Sequence, residues 1–318
     1  MFQVASRPAP FAPEMLSLPA HHQPVPPSLQ LPRTLARPSF NEVSRQTIAS
    51  LEPELANVPF EYIRNHLAGQ ANEMLAALKL LSIPSSLPRS RLPPIIDVPV
   101  RPTSHSPSSS AFPTHILAIS SSKSASSPNT PTAASFAQYT STPATAPLYP
   151  THALVLATHC TLLPALPPSH PSNRTATMSL PLVPLTVPSA ETFPVLHAYL
   201  HTKRTDTLLG ALLPSLASVL PPAPAASGSK GRAPYVSQFS SDSLLCLAQA
   251  LASSASAHAG PQGALAGLMN HAKRVNALWR NVCALGVFDA ELWAVMDIAW
   301  EVVLAALTRV AERERERV

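Results

Sequence analysis

Proline sets the first limit on this fold. The chain has 318 residues and 38 prolines, and Pro261 is the single one beyond residue 234. Proline lacks a backbone donor and clashes with the preceding helical turn, so it belongs in first turns, strand edges and loops. The sequence up to residue 234 must therefore use short elements, while the remainder is free to form long helices. Nine prolines fall in residues 1–39 without a hydrophobic period, which reads as a disordered tail. Eight glycines cannot supply a collagen repeat, and they show no phosphate-loop pattern of the Rossmann or P-loop kind.

Periodicity divides the rest. Residues 40–83 form an N-terminal helical region. A short helix is expected over 41–50, capped by Ser39 or Asn41. A second follows on Phe60, Ile63, Leu67, Ala71, Met74 and Leu78, with Gly69 a candidate break. Residues 84–222 change period. Short β-branched runs at 94–100 and 112–119 read as strands, and the Ser/Pro/Thr tract 120–148 as a disordered insertion. Residues 160–166 read as a short helix. The proline-rich run 179–187 reads as an edge strand, and Ser189 as the cap of a helix through Phe193, Leu196 and Leu200. A further helix over 208–220 is interrupted near Pro214. After a linker (223–236), residues 237–318 read as all-helical: 241–258, 262–285 and a third helix. Gly286 ends the second and Asp289 caps the third.

Charge decides little. The formal net charge is +5, and no segment is basic enough for a nucleic-acid surface. The three cysteines, Cys160, Cys246 and Cys283, are odd in number, far apart and set in apolar runs, which predicts buried thiols in a reducing compartment. The first residues lack the apolar stretch of a secretory signal. No membrane span is expected: 208–226 carries four prolines, and 292–307 carries Asp297 and Glu301.

Candidate chemistry is sparse. His197 and His201 stand at the i,i+4 spacing of a zinc pair, without a third ligand nearby. His152, His159 and Cys160 could form a Cys–His pair, without an orienting group. Structural roles are expected for all five, with no catalytic, cofactor or metal residue and no enzyme activity. Trp279, Trp293 and Trp300 are all of the tryptophans. Core packing is the expectation, with Arg280, Trp293 and Trp300 as partner-binding candidates because Trp and Arg dominate interfaces. Lys203 and Arg204 form a basic pair suited to a partner or to nuclear import. Ser106, Ser127, Thr130 and Thr142 each precede proline and are candidate phosphorylation sites.

Two stretches resemble the BTB/POZ fold: 150–160 (PTHALVLATHC), and 182–193 (LVPLTVPSAETF) with its continuation PVLHAYLHTKR to Arg204. That resemblance implies an α/β (α+β) domain, a small mixed sheet with helices, ahead of the all-α end. It also implies possible homodimer formation and, as an alternative role, adaptor work for a cullin ubiquitin ligase. A broader likeness runs through VPFEYIRNHL (58–67), LPLVPLTVPSAETFPVLHAYLHTKRTDTLL (180–209) and HAKRVNALWRNVCALGVFDAELWAVMDIAWEVVLAAL (271–307). These are similar to the clampless protein family of mushroom-forming and smut fungi. The likeness implies a non-enzymatic nuclear regulator of clamp-cell formation and dikaryotic growth, working through transcription regulators such as the mating-type homeodomain factors. Neither direct nucleic-acid contact nor membrane attachment is expected.

Overall fold

The computed structural model describes residues 31–102, 108–122, 145–169, 176–223 and 234–316, with side chains at 109 and 258–262 excepted. Residues 1–30 of the expected tail, 123–144 of the expected insertion and 224–233 of the expected linker lie outside these residues, as do Ser106, Ser127, Thr130 and Thr142. The two ends of the expected insertion, 120–121 and 145–148, are strand and not disordered, because they pair in the sheet.

The elements follow the proline pattern. Helices α1 (Arg45–Leu51) and α2 (Phe60–Leu80) come first, then strands β1 (Ser86–Pro88), β2 (Ile95–Pro99), β3 (His115–Ser121) and β4 (Thr145–Thr151). Helix α3 (Ala153–His159), strand β5 (Thr177–Val187) and helices α4 (Phe193–Thr202) and α5 (Thr205–Leu212) complete the proline-rich part. Helices α6 (Ser241–Leu285) and α7 (Ala290–Arg315) form the helical end. The fold class is mixed α/β, as expected.

The sheet order is β1-β4-β3-β5-β2. Among the described residues only the β3–β5 pair is parallel, with Leu117 opposite Val183; β4 runs antiparallel to β3 and β1, and β2 antiparallel to β5. Strand β5 was expected at an edge, yet it lies inside the sheet. It changes partner halfway: Thr177–Pro181 pairs with β2 and Leu182–Val187 with β3. Each half is paired on one side, and that is how Pro181 and Pro184 fit into an internal strand without costing a ladder bond on both sides. One face of the sheet packs on Ala77 of α2 and on Leu81, over a core of Val98, Phe112, Ile116, Leu148, Met178 and Leu180.

Several expectations are corrected. Gly69 does not divide α2, which runs unbroken for 21 residues. Residues 160–166 are not helical; Pro164 denies a helix its donor, and Cys160 forms a bridge with Val287 instead. Helix α1 begins after Ser44, and α4 after Thr192 rather than Ser189. Cys160 is buried as expected, but Cys246 is exposed and Cys283 half-buried.

Helix α7 is buried almost all round. Its interior residues include the runs Leu292-Trp293, Ile298-Ala299-Trp300 and Val302-Val303. Such a helix is the axis of its region, not a surface helix with one apolar stripe. Asp289 caps it, accepting from the N–H groups of Glu291 and Leu292. The helical run of α6 is continuous, but a Cβ on Gly267 would lie 3.9 Å from Ala255 Cβ. Twelve residues of straight helix advance about 18 Å, so the run reverses between these positions. The expected helices 241–258 and 262–285 are its two arms, and Arg309 of α7 meets Gln249 on the first.

Candidate functional site

Residues 34–44 cross onto the helical end. Leu35 and Val43 are buried, the Trp279 Nε1–H donates to Ala36 O at 2.7 Å, and Arg37 pairs with Asp297 at 2.5 Å. Arg37 also lies over the Trp293 ring, and Phe40 meets Phe288 edge-on at 5.0 Å. Residues 34–39, assigned to the tail from sequence, are thus an anchored strap.

A polar seam surrounds α4, where the sheet-bearing half meets the helical end. At its start Asn281 of α6 is fully buried. Its Oδ1 accepts from Ser189 N–H (2.9 Å), and its Nδ2 donates to Ser189 O (2.7 Å) and Thr192 Oγ1 (3.0 Å). One side chain thus satisfies both backbone groups of Ser189 and the Thr192 hydroxyl at the turn into α4, as buried polar groups require.

At the other end Lys203 adopts a left-handed backbone, φ 52°, and its N–H returns to Tyr199 O. This turn directs Nζ inward, 2.8 Å from Asp289 Oδ2 and 3.3 Å from His159 Nδ1. Asp289 Oδ1 also accepts from the Tyr199 hydroxyl at 3.0 Å. Burial pushes the Asp289 carboxyl up, but Lys203 and the cap donors outweigh it and hold the group below its ordinary value. Burial pulls the Lys203 ammonium down, opposed by Asp289. The pair is an ion pair whose carboxylate does three jobs: it caps α7, anchors α4 and neutralises Lys203.

The loop after α3 closes the seam. Gly286 has φ +63°, and a Cβ there would fall 2.2 Å from Thr161 Oγ1. The Thr161 N–H and hydroxyl both donate to Gly286 O, and Leu162 N–H to Leu285 O. Arg64 of α2 donates twice to Thr158 O, at 2.8 and 2.5 Å, capping α3. A cleft of about 320 Å³ opens beside these residues, walled by Phe40, Phe60, Phe288, Arg45, Arg64 and His159.

The histidines sit under this seam. Burial, then the charges of Lys203 and Arg64, push His159 down to about 3. Its Nδ1 accepts from a lysine, and burial pushes the Cys160 thiol up to about 12. A neutral thiol beside an imidazole already engaged cannot serve as an activated nucleophile. His197 and His201 lie with ring centroids 4.3 Å apart, and His152 lies 5.4 Å from His201. Among the described residues no group of three His, Cys, Asp or Glu side chains is arranged to hold a metal ion.

The basic pair separates. Lys203 is spent in the seam, while Arg204 is exposed and pairs with Asp206. Trp293 and Trp300 are each 3% exposed, and the Trp293 Nε1–H donates to Val287 O. They are interior side chains with no open face for a partner. Arg280 is exposed on α6 beside half-buried Trp279. Asn281, Asp289 and Arg64 were not singled out as site residues from sequence. The available signal for Asn281 was one amide among Leu278, Val282 and Leu285 on an apolar stripe. No helix among the described residues is long and apolar enough to cross a membrane.

Comparison with known proteins divides the chain at this same seam. Residues 38–188 match the Clampless protein 1 N-terminal domain and residues 206–318 the Clampless protein 1 C-terminal domain. No curated protein and no solved structure matches. Helix α4 and Lys203 fall between the two matched regions and join them. With both halves matched over most of its length, the chain belongs to the clampless protein family.

Proposed function

We propose that this protein is a non-enzymatic regulator of fungal sexual development, required for clamp-cell formation and dikaryotic growth. It works in the nucleus by binding transcription regulators. Family membership along both halves carries the reading. The seam supports it: its polar side chains are engaged in joining the two halves, and its thiol is neutral and buried. Exposed Arg280 and Arg204 are the partner-facing residues among those singled out from sequence. Deletion of the gene should abolish clamps in mated hyphae, and affinity purification from those cells should recover transcription regulators. Normal clamps after deletion would sink the proposal.

A BTB-like adaptor for a cullin ubiquitin ligase is the second reading. It draws on the strand–helix units β4–α3 and β5–α4, which occupy the stretches that carry the BTB resemblance. It requires cullin co-purification, and a homodimer through the sheet-bearing half would show as doubled mass in light scattering.

A further inference from the structure

Three imidazoles meet where β4, α3 and α4 join. The His152 Nε2–H donates to Ala111 O at 2.8 Å, and the His201 Nδ1–H to His197 O at 2.9 Å. Each bond fixes the tautomer, because a carbonyl only accepts. The second nitrogen of each of these rings is then a bare lone pair. His152 Nδ1, His201 Nε2 and His197 Nε2 are all buried without a partner among the described residues. His197 is also boxed in by Tyr149 and Phe193, with ring centroids at 6.0 and 5.8 Å. A neutral ring tolerates an unmade acceptor bond at modest cost, but a protonated ring must bury an unpaired N–H and a charge.

The surroundings do not offset such a charge. From α4 itself the trio faces Lys203. Helix α2 brings Arg64 into the same charge network, and α3 brings His159 with Cys160 beside it. The start of α7 brings Asp289, which Lys203 already neutralises. Strand β4 contributes Tyr149; at the two ends of α4 stand the uncharged Asn281, bonded to Thr192, and Thr205, the first residue of α5. Beyond His152, a hollow of about 520 Å³ holds Glu52, Glu54 and His66. A first proton on any ring also repels the next across 4.3–5.4 Å.

We propose that His152, His197 and His201 form an acid-sensitive latch, whose protonation frees α4 from β4 and α3 and loosens the seam between the two halves. Each ring takes one proton from solvent as the latch opens, and no other group need change. Burial supports this, holding His197 well below its ordinary value and His201 at about 4, with His152 also lowered.

Hydrogen exchange on the full chain between pH 7.5 and 5, corrected for intrinsic rates, tests the latch. Protection of α4 should fall at least tenfold across that range, while the 275–285 arm of α6 stays constant. His197→Phe, which cannot titrate, should flatten the α4 response at least threefold, and His201→Gln should do the same. A variant that fails to fold leaves the wild-type imidazole NMR titration to decide. All three rings must stay neutral below pH 6 until α4 opens. Rings that titrate near 6.5 in the intact fold, or α4 protection independent of pH, would overturn the latch.

Discussion

The sheet-bearing half and the helical end solve the same burial problem in opposite ways. The first uses short elements, none but α2 and β5 longer than ten residues, and crosses its prolines by changing partners, as β5 does at Pro181. The second uses two long helical runs and sinks α7 into a nearly continuous apolar sleeve. Apolar packing alone could hold each region together, yet the joint between them also carries polar links: Asn281 to Ser189 and Thr192, and Asp289 to Lys203 and Tyr199. Packing is tolerant of direction, whereas hydrogen bonds to named backbone groups fix one orientation. The contrast suggests that cores give each half its stability and the seam gives the pair its geometry.

The sharpest way to break that division is Gly286→Val. It forces a β-branched residue into the left-handed region and drives its Cβ into Thr161 and Leu162. Strain and clash together should cost about 4 kcal/mol, read as a lost or strongly lowered thermal transition.

Acid comes next. His201 is held at about 4 in the folded chain, against about 6.5 for an unfolded imidazole. The unfolded state therefore binds more protons between these values, so stability is full above pH 6.5 and is lost as pH falls. One such ring removes on the order of 3 kcal/mol by pH 4. Denaturant midpoints should decline across that window and stay level from pH 7 to 8.

Asn281→Leu keeps the apolar stripe of α6 but leaves Ser189 N–H and C=O without their partner. A loss of about 2 kcal/mol is expected, with exchange rising first at the start of α4. If the loss were spread evenly over α6 and α7 instead, Asn281 would be a core residue and not a joint. The smallest effect belongs to Arg204→Ala, since its pair with Asp206 is exposed on the arginine side. Melting should shift by no more than about 0.5 kcal/mol, which leaves Arg204 a clean probe of partner binding.

These regions also differed in how well the sequence announced them. In the helical end, Asp289 and Gly286 punctuate apolar periods, and both act where their chemistry predicts, because caps are local. In the sheet-bearing half, β1 is three residues with no period of its own, and Ser86–Pro88 becomes a strand only because β4 offers an edge. The helix expected over 160–166 failed for the same reason in reverse: Cys160 is claimed by Val287, 127 positions later. Lys203 and Arg204 look alike in sequence. A left-handed turn sends one into the seam and leaves the other on the surface, and no neighbouring residue forecasts that choice. The histidine trio was half visible, as His197 and His201 on one helix, while His152 arrives from a separate element.

The strap has a consequence in time. Ala36 and Arg37 wait for Trp279 and Asp297, partners made more than 240 residues later. A ribosome working at 5–20 residues per second spends roughly 10–50 seconds on that stretch. Throughout that interval Ala36, Arg37 and Phe40 have no helical end to meet, and the surface that becomes the seam stands open. A chaperone that shelters the first half until α7 emerges would meet the molecule at the stage when it is most exposed to misassembly.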